Sequence, residues 1–193
     1  MELPFSLETY VERVRRSRSS LEESGLDAIV VTLPDSINWL SGYDTIGYLW
    51  PQALLIDRRE GDPVLHTRTT EEPGFHATSW LSKGVFYDIA VEDWASVLSE
   101  TLNERDLAQG RIGIELNGFT LPAAQLDRLR EAMPGVEWVD ATELIPELRL
   151  VKSEAELVYQ RQAAEMADFA LGRAFESLRP GIAETEVAGI AAA

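Results

Sequence analysis

The pattern of apolar and polar positions along the 193 residues predicts short strands alternating with helices. Short continuous runs of aliphatic and β-branched residues indicate strands that are buried on both faces. Between them, apolar residues recur three and four positions apart, which is the spacing of an amphipathic helix. The predicted strands are 27–32, 53–57, 64–67, 85–89, 111–115 and 136–139. The predicted helices are 6–24, 34–40, 92–103 and 121–133, with a weaker helix over 70–81 that is interrupted near Pro73 and Gly74.

This alternation predicts an α/β fold with a mixed, mostly parallel six-stranded sheet flanked by helices. The turn-like run Glu60-Gly61-Asp62-Pro63 separates the second and third strands and predicts a hairpin between them. One antiparallel hairpin makes the sheet mixed rather than wholly parallel. Residues 141–148 are read as a connection.

A domain boundary is predicted near residue 150. Ser153 and Glu156 form a capping-box pattern that starts one long helix. After Pro180 and Gly181 another helix begins, and it reaches Ala193 before it can bury an apolar face. We therefore expect residues 1–150 to form an N-terminal α/β domain, and residues 151–193 to be the truncated start of a larger domain.

Composition limits the possible partners and location. The net charge of −16 argues against nucleic acid, which needs a basic surface. The sequence has no long apolar run and no signal-like start, so we expect no membrane partner and a cytoplasmic location. Two explanations of the acidic, lysine-poor composition stay open, namely adaptation to a salt-rich cytoplasm and the ordinary surface of a protein from a GC-rich genome. The basic residues of the first helix are read as a solvated face. They are Arg13, Arg15, Arg16 and Arg18.

The sequence contains no complete catalytic motif. His66 and His76 lack metal-binding spacing, so structural or surface roles are favoured for both. There is no cysteine, no phosphate-binding glycine loop and no nucleophile elbow. We expect no catalytic residue, no metal site and no cofactor in this segment, which should be inactive alone.

The stretch from Asn38 to Gln52 is rich in aromatic residues and turn formers. If the backbone is extended from Tyr48 onward, then Tyr48, Trp50 and Gln52 share one face. Such rings can line a pocket or an interface, or they can fill the core beside a loop. Both interpretations stay open. The candidate pocket-lining residues are Asn38, Tyr48 and Trp50.

Four stretches resemble the N-terminal domain of the creatinase, prolidase and Xaa-Pro aminopeptidase family. They are Gly25-Leu26-Asp27-Ala28-Ile29-Val30-Val31, Ile37-Asn38-Trp39-Leu40-Ser41-Gly42-Tyr43, Arg111-Ile112-Gly113-Ile114-Glu115 and Leu148-Arg149-Leu150-Val151-Lys152-Ser153-Glu154-Ala155-Glu156-Leu157. The run Gly42-Tyr43-Asp44, followed by Pro51-Gln52, looks most like the ectoine hydrolase and dipeptidase-like branches.

The resemblance implies a small N-terminal domain followed by a pita-bread hydrolase domain that usually holds two divalent metal ions, here Mn, Co or Zn. It also implies a homodimer in which the loop before the second strand lines the partner's active site. In creatinase that loop presents an aromatic residue and an arginine. Tyr48 and Trp50 occupy the corresponding places here, so the arginine is missing.

The sequence leaves two functions open. The first is an accessory domain of a hydrolase that acts on a small molecule or a dipeptide and cleaves an amide, imidopeptide or amidine C–N bond. In that case Asn38, Tyr48 and Trp50 would line the active site of the other subunit. The alternative is a free-standing α/β ligand-binding or interaction module without catalytic activity.

Overall fold

A computed structural model of the chain describes residues 3–116 and 120–193. The chain divides into two compact units, Met1–Leu150 and Val151–Ala193. None of the helices in the described residues combines the length and the apolar character needed to cross a membrane.

The first unit contains six strands and six α-helices within its described residues. The strands are β1 (Ala28–Val31), β2 (Ala53–Asp57), β3 (Val64–Arg68), β4 (Gly84–Tyr87), β5 (Arg111–Ile114) and β6 (Glu137–Asp140). The helices are α1 (Leu7–Glu23), α2 (Pro34–Ser41), α3 (Glu72–Thr78), α4 (Trp94–Glu104), α5 (Ala123–Ala132) and α6 (Leu144–Leu150), and a 3₁₀ turn covers Thr69–Glu71.

The six strands form one sheet in the order β4-β3-β2-β1-β5-β6. β2 runs antiparallel to β1 and β3, and the remaining neighbours are parallel. The predicted mixed, mostly parallel sheet and its single hairpin are therefore confirmed. Because only β2 is reversed, the other five strands end at the same edge of the sheet.

The central strand β1 shows why its sequence is a continuous apolar run. Ala28 and Val30 face one core, which is completed by α4 and α5. Ile29 and Val31 face a second core formed with α1, α2, α3 and α6. Successive side chains of a strand point to opposite faces, so a strand covered by helices on both sides needs apolar residues at every position.

Local sequence sets the ends of α1 and α2. The hydroxyl of Ser6 accepts a hydrogen bond from the backbone N–H of Thr9 at the start of α1. Pro34 begins α2, where its missing N–H needs no partner. Gly42 ends α2 with φ of 75°, a conformation that favours glycine.

Two helices differ from the sequence-based expectation. Pro73 and Gly74 do not interrupt a helix, because they lie in the first turn of α3. Residues expected to be only a connection include α6, which has Pro146 as its third residue. Proline is tolerated in the first turn of a helix, so in both segments it marks a start rather than a break.

The second unit contains α7 (Glu154–Ser177) and α8 (Glu184–Ala192), which contact each other. The predicted capping box is confirmed at the start of α7. The N–H of Ser153 donates to Glu156 Oε2 at 2.8 Å, and the N–H of Glu156 donates to Ser153 Oγ at 3.3 Å. Large apolar side chains of this unit are exposed. They include Met166, Phe169, Leu171, Phe175 and Leu178.

Candidate functional site

The loop of residues 43–52 carries the aromatic stretch and lies at the edge where the five parallel strands end. It leads from α2 into the reversed strand β2, whose first residue is Ala53. In open α/β sheets, ligands bind in crevices beside the carboxyl ends of the strands. The position of this loop therefore makes it the first candidate for a ligand-binding site.

A pocket of about 290 Å³ lies between the N-terminal segment, α2 and the 43–52 loop. Its lining residues are Phe5, Tyr10, Arg13, Pro34, Asp35, Asn38, Trp39, Asp44, Thr45, Tyr48 and Arg149. The structure thus brings together two of the three predicted residues, Asn38 and Tyr48. A larger open groove of about 840 Å³ runs beside α1 and α6, and its lining includes none of the three.

Asn38 makes hydrogen bonds to the backbone and also borders the pocket. Its side-chain Nδ2 donates to the carbonyl of Tyr43 at 3.2 Å, and its contact with the carbonyl of Gly42 is 3.4 Å. These bonds hold the first residues of the 43–52 loop against the end of α2. Tyr48 is half-exposed and borders the pocket from the loop.

Trp50 lies elsewhere and is buried. Its indole ring packs under the guanidinium of Arg68, with 3.4 Å between the guanidinium carbon and the ring centroid. Its Nε1 donates to Thr67 Oγ1 at 3.4 Å. Residues 48–50 are bends rather than extended backbone, so Tyr48 and Trp50 do not share a face. Trp50 does not line the pocket that holds Asn38 and Tyr48.

Gln52 fixes the other end of the loop from inside the protein. Its side chain is fully buried and packs against Gly47, where an added Cβ would lie 2.5 Å from Gln52 Nε2. Neither polar atom of the amide has a hydrogen-bond partner in the part of the chain that the structure describes. Only glycine at position 47 permits this close approach of loop and amide.

The pocket contains charges of both signs. Asp35 and Asp44 supply carboxylates, and Arg149 supplies a half-buried guanidinium. Within the described residues, these three side chains form no ion pair. A site with unpaired groups of both signs can hold a small ligand that carries both charges.

Arg13 also lines the pocket, but its contacts stabilise the pocket wall. Its side chain is buried, so its predicted solvated position is wrong. The guanidinium lies 4.5 Å, 5.2 Å and 4.9 Å from the ring centroids of Phe5, Tyr10 and Trp39. It also donates to the carbonyl of Trp39 at 2.8 Å. Cation–π contacts of this kind fix the aromatic wall.

Sequence reasoning missed Glu115, which it treated as the end of a strand. The side chain is fully buried immediately after β5. Its Oε2 accepts hydrogen bonds from the backbone N–H groups of Thr32 and Leu33 at 2.7 Å and 2.8 Å. Burial raises the pKa of the Glu115 carboxyl to about 7. An acidic residue at the end of an apolar strand was the available signal.

The histidines do not form a metal site in the residues that the structure describes. His66 is buried in β3, its Nε2 lies 2.8 Å from Thr101 Oγ1, and burial lowers its pKa to about 4. His76 is exposed beside Glu72. No group of three or more His, Asp or Glu side chains that could hold a metal ion occurs among residues 3–116 and 120–193. The set of donor side chains that a metal ion needs is therefore not present within these residues.

Comparison with known proteins gives a consistent set of similarities. The family model of the creatinase/prolidase N-terminal domain matches residues 13–151. The chain is 27% identical to the ectoine hydrolase of Halomonas elongata, with coverage of 96% of this chain and 48% of that protein. It is 29% identical to an Xaa-Pro dipeptidase of Lactobacillus delbrueckii subsp. lactis, with coverage of 86% and 45%.

A solved structure extends the similarity to the fold. The prolidase from Pyrococcus horikoshii OT3 superposes with a TM-score of 0.73 at 20% identity, over 93% of this chain and 47% of that one. At this identity the similarity shows the fold alone. The chain spans about half the length of the curated relatives named above.

Proposed function

Because the chain belongs to the creatinase/prolidase N-terminal domain family, we propose that it is the accessory domain of a cytoplasmic, homodimeric hydrolase. The 43–52 loop and the adjoining pocket line the active site of the partner subunit. The parent protein hydrolyses a C–N bond in an amide, imidopeptide or amidine. The named relatives are a hydrolase and a dipeptidase, which supports this reaction class.

The single observation that carries the proposal is the exposure of large apolar side chains at the tip of the 43–52 loop. Ile46 is 77% exposed and Leu49 is 83% exposed, whereas the amide of Gln52 is fully buried. A solvated loop normally turns its polar side chains outward and its apolar ones inward. Two exposed apolar residues in one loop, on either side of the pocket residue Tyr48, are typical of a surface that contacts another protein or a ligand.

The pocket favours a small ligand that carries both charges. Asp35 and Asp44 can accept hydrogen bonds from an ammonium group, and Arg149 can donate to a carboxylate. Tyr48 adds an aromatic ring for contact with a cation. Trp50 contributes indirectly, because its buried ring under Arg68 anchors the end of the loop next to Tyr48. A dipeptide or a small zwitterion fits this set of groups.

We assign catalysis to a domain that follows this one in the parent protein. The relatives are about twice as long as the part that this chain matches. The two divalent ions expected for the parent, Mn, Co or Zn, would be held by that second domain. In this proposal the present chain binds and orients the substrate and excludes water from the active site.

The proposal is tested by comparing this chain with the parent protein. We expect the 193-residue chain to show no turnover of Xaa-Pro dipeptides with Mn²⁺ or Co²⁺, while the parent turns over a dipeptide or a small amide. A photo-reactive residue at position 49 of the parent should cross-link to the second subunit, whereas one at the exposed position 91 serves as the control.

Two results would contradict the proposal. Turnover by the 193-residue chain alone would place the chemistry within it. A cross-link from position 49 only within one subunit would show that the loop does not reach a partner. The alternative, a free-standing binding module, would be favoured by a different result. In that case the protein would be a stable monomer that binds a ligand, and the full-length protein would show no hydrolase activity.

A further inference from the structure

Glu115 joins the central sheet to the helix that forms one wall of the pocket. Thr32 and Leu33, the two residues between β1 and α2, donate their backbone N–H groups to its Oε2. The hydroxyl of Thr32 also donates to the carbonyl of Glu115 at 3.1 Å. Since α2 starts at the next residue, this carboxyl group sets where α2 leaves the sheet.

The second oxygen of Glu115 leaves this junction incompletely bonded. Oε1 is buried and makes no well-formed hydrogen bond in the described part of the chain, and the same is true of Ser36 Oγ in the first turn of α2. The Ser36 hydroxyl is nevertheless near enough to the carboxyl group to lower its pKa. A buried carboxylate with an unsatisfied oxygen is costly, and a proton on the carboxyl removes the charge. The junction therefore has two competing states, one ionised and one neutral.

The groups around Glu115 set the balance between these states. Burial raises its pKa, and the N–H of Leu33, the Ser36 hydroxyl and the N–H of Thr32 lower it. The charged side chain that acts on it is Arg149 from α6, which also lowers the pKa. Arg149 borders the pocket as well. One guanidinium therefore influences both the buried carboxyl group and the site where a ligand would bind.

We propose that Glu115 is a positioning residue for the pocket, and that gain or loss of its proton shifts α2 and the wall formed by Asn38 and Trp39. Arg149 adjusts the pH at which this shift occurs. The ionised form binds the two N–H groups more strongly, because hydrogen bonds to a charged acceptor are stronger than bonds to a neutral one. This inference concerns the chain alone and holds whether or not the pocket meets a partner subunit.

Nuclear magnetic resonance of the ¹⁵N-labelled chain tests the proposal from about pH 5 to about pH 9. We expect the backbone N–H signals of Thr32 and Leu33 and the indole N–H signal of Trp39 to shift together, with a midpoint of about 7. Glu115→Gln should abolish the shift at all three positions. Histidine ordinarily titrates in this range, so His76→Gln is the matched control and should leave the midpoint unchanged.

Arg149→Met provides a readout that a purely structural role would not change. Removal of the guanidinium should move the common midpoint to higher pH, because its charge favours the carboxylate. This variant keeps Glu115, so it decides the question even if Glu115→Gln does not fold. An unchanged midpoint would overturn the role of Arg149. Titration of Thr32 and Leu33 without Trp39 would show that the proton does not move the pocket wall.

Discussion

At the scale of single residues, the sequence identifies the aromatic stretch but not the direction of each ring. The prediction that Tyr48 and Trp50 share a face assumed an extended backbone, and the bends at residues 48–50 remove that condition. Tyr48 consequently borders the pocket, while Trp50 points into the protein under Arg68. The contact with Arg68 could not be inferred locally, because the two residues come from different elements.

Trp50→Ala should destabilise this chain strongly. The substitution removes a buried indole ring and leaves the Arg68 guanidinium without its aromatic surface. We expect the free energy of unfolding to fall by roughly 3 kcal/mol or more, as for other large-to-small core changes. Tyr48→Ala, at a half-exposed position of the same loop, is the control and should change it by less than about 1 kcal/mol. Equal denaturation midpoints for wild type and Trp50→Ala would disprove the anchoring role.

Glu115 gives stability a specific pH dependence. Its pKa in the folded chain, about 7, is above the ordinary value of 4.5 because the group is buried. The folded chain therefore holds the proton more tightly, and this contribution is full below the ordinary pKa and is lost as pH rises through the folded value. For a shift of this size the contribution is roughly 3 kcal/mol.

Urea unfolding at about pH 5 and about pH 8 measures this contribution. Between about pH 5 and about pH 8, the unfolding free energy of the wild type should fall relative to that of Glu115→Gln. Only the wild type has a carboxyl group at position 115 that loses its proton in this range. Glu137→Gln, at an exposed carboxyl of β6, is the control and should give a nearly constant difference. A Glu115→Gln difference that is also independent of pH would contradict the pKa assignment.

At the scale of elements, the strands were the most predictable part of the molecule. All six appear within two residues of their expected limits, because a strand covered on both faces requires an unbroken apolar run. The helices α3 and α6 were less predictable, since a proline inside a short segment suggests a break. Its place in the first turn becomes evident only when tertiary contacts fix the helix start.

One ion pair connects the end of α4 to the end of β2. Arg105 Nη1 lies 2.6 Å from Asp57 Oδ2, and both side chains are largely buried. Arg105→Met would leave the buried Asp57 carboxylate without its ion-pair partner. We expect a loss of roughly 3 kcal/mol in unfolding free energy, as for other broken buried pairs. Thermal or chemical denaturation measures it.

The matched control for Arg105 is Arg128→Met. Arg128 pairs with Asp93 at 2.6 Å but is more than half exposed. Exposed pairs contribute less than about 1 kcal/mol, because water already solvates both charges. If the two substitutions lowered the unfolding free energy equally, burial would not explain the contribution of the Arg105–Asp57 pair to stability.

At the scale of the whole molecule, the sequence could indicate family membership and fold but not the geometry of the site. The family resemblance rested on short motifs distributed along the chain, and the matched family model covers residues 13–151. The pocket combines residues from the N-terminal segment, α2, the 43–52 loop and α6. Such distant segments meet only in the folded chain, which explains why Arg149 and Asp35 were not predicted as site residues.

The exposed apolar tip of the 43–52 loop leads to a prediction for the parent protein. Ile46→Ser combined with Leu49→Ser should change the unfolding free energy of this chain by no more than about 0.5 kcal/mol, because both side chains are already in water. In the parent, the same changes should lower kcat/KM or weaken subunit association. Val91→Ser, at another exposed apolar position, is the control. Unaltered kinetics and association would indicate that the loop tip contacts nothing.

The most direct test of the central claim is complementation between two inactive forms of the parent protein. One form carries Asn38→Ala and Tyr48→Ala with an intact catalytic domain, and the other has an inactivated catalytic domain with an intact pocket. If this domain lines the active site of the other subunit, mixed dimers contain one complete site, and activity should return on subunit exchange. If mixed dimers form and activity stays at the level of the separate forms, the domain does not act across the subunit interface.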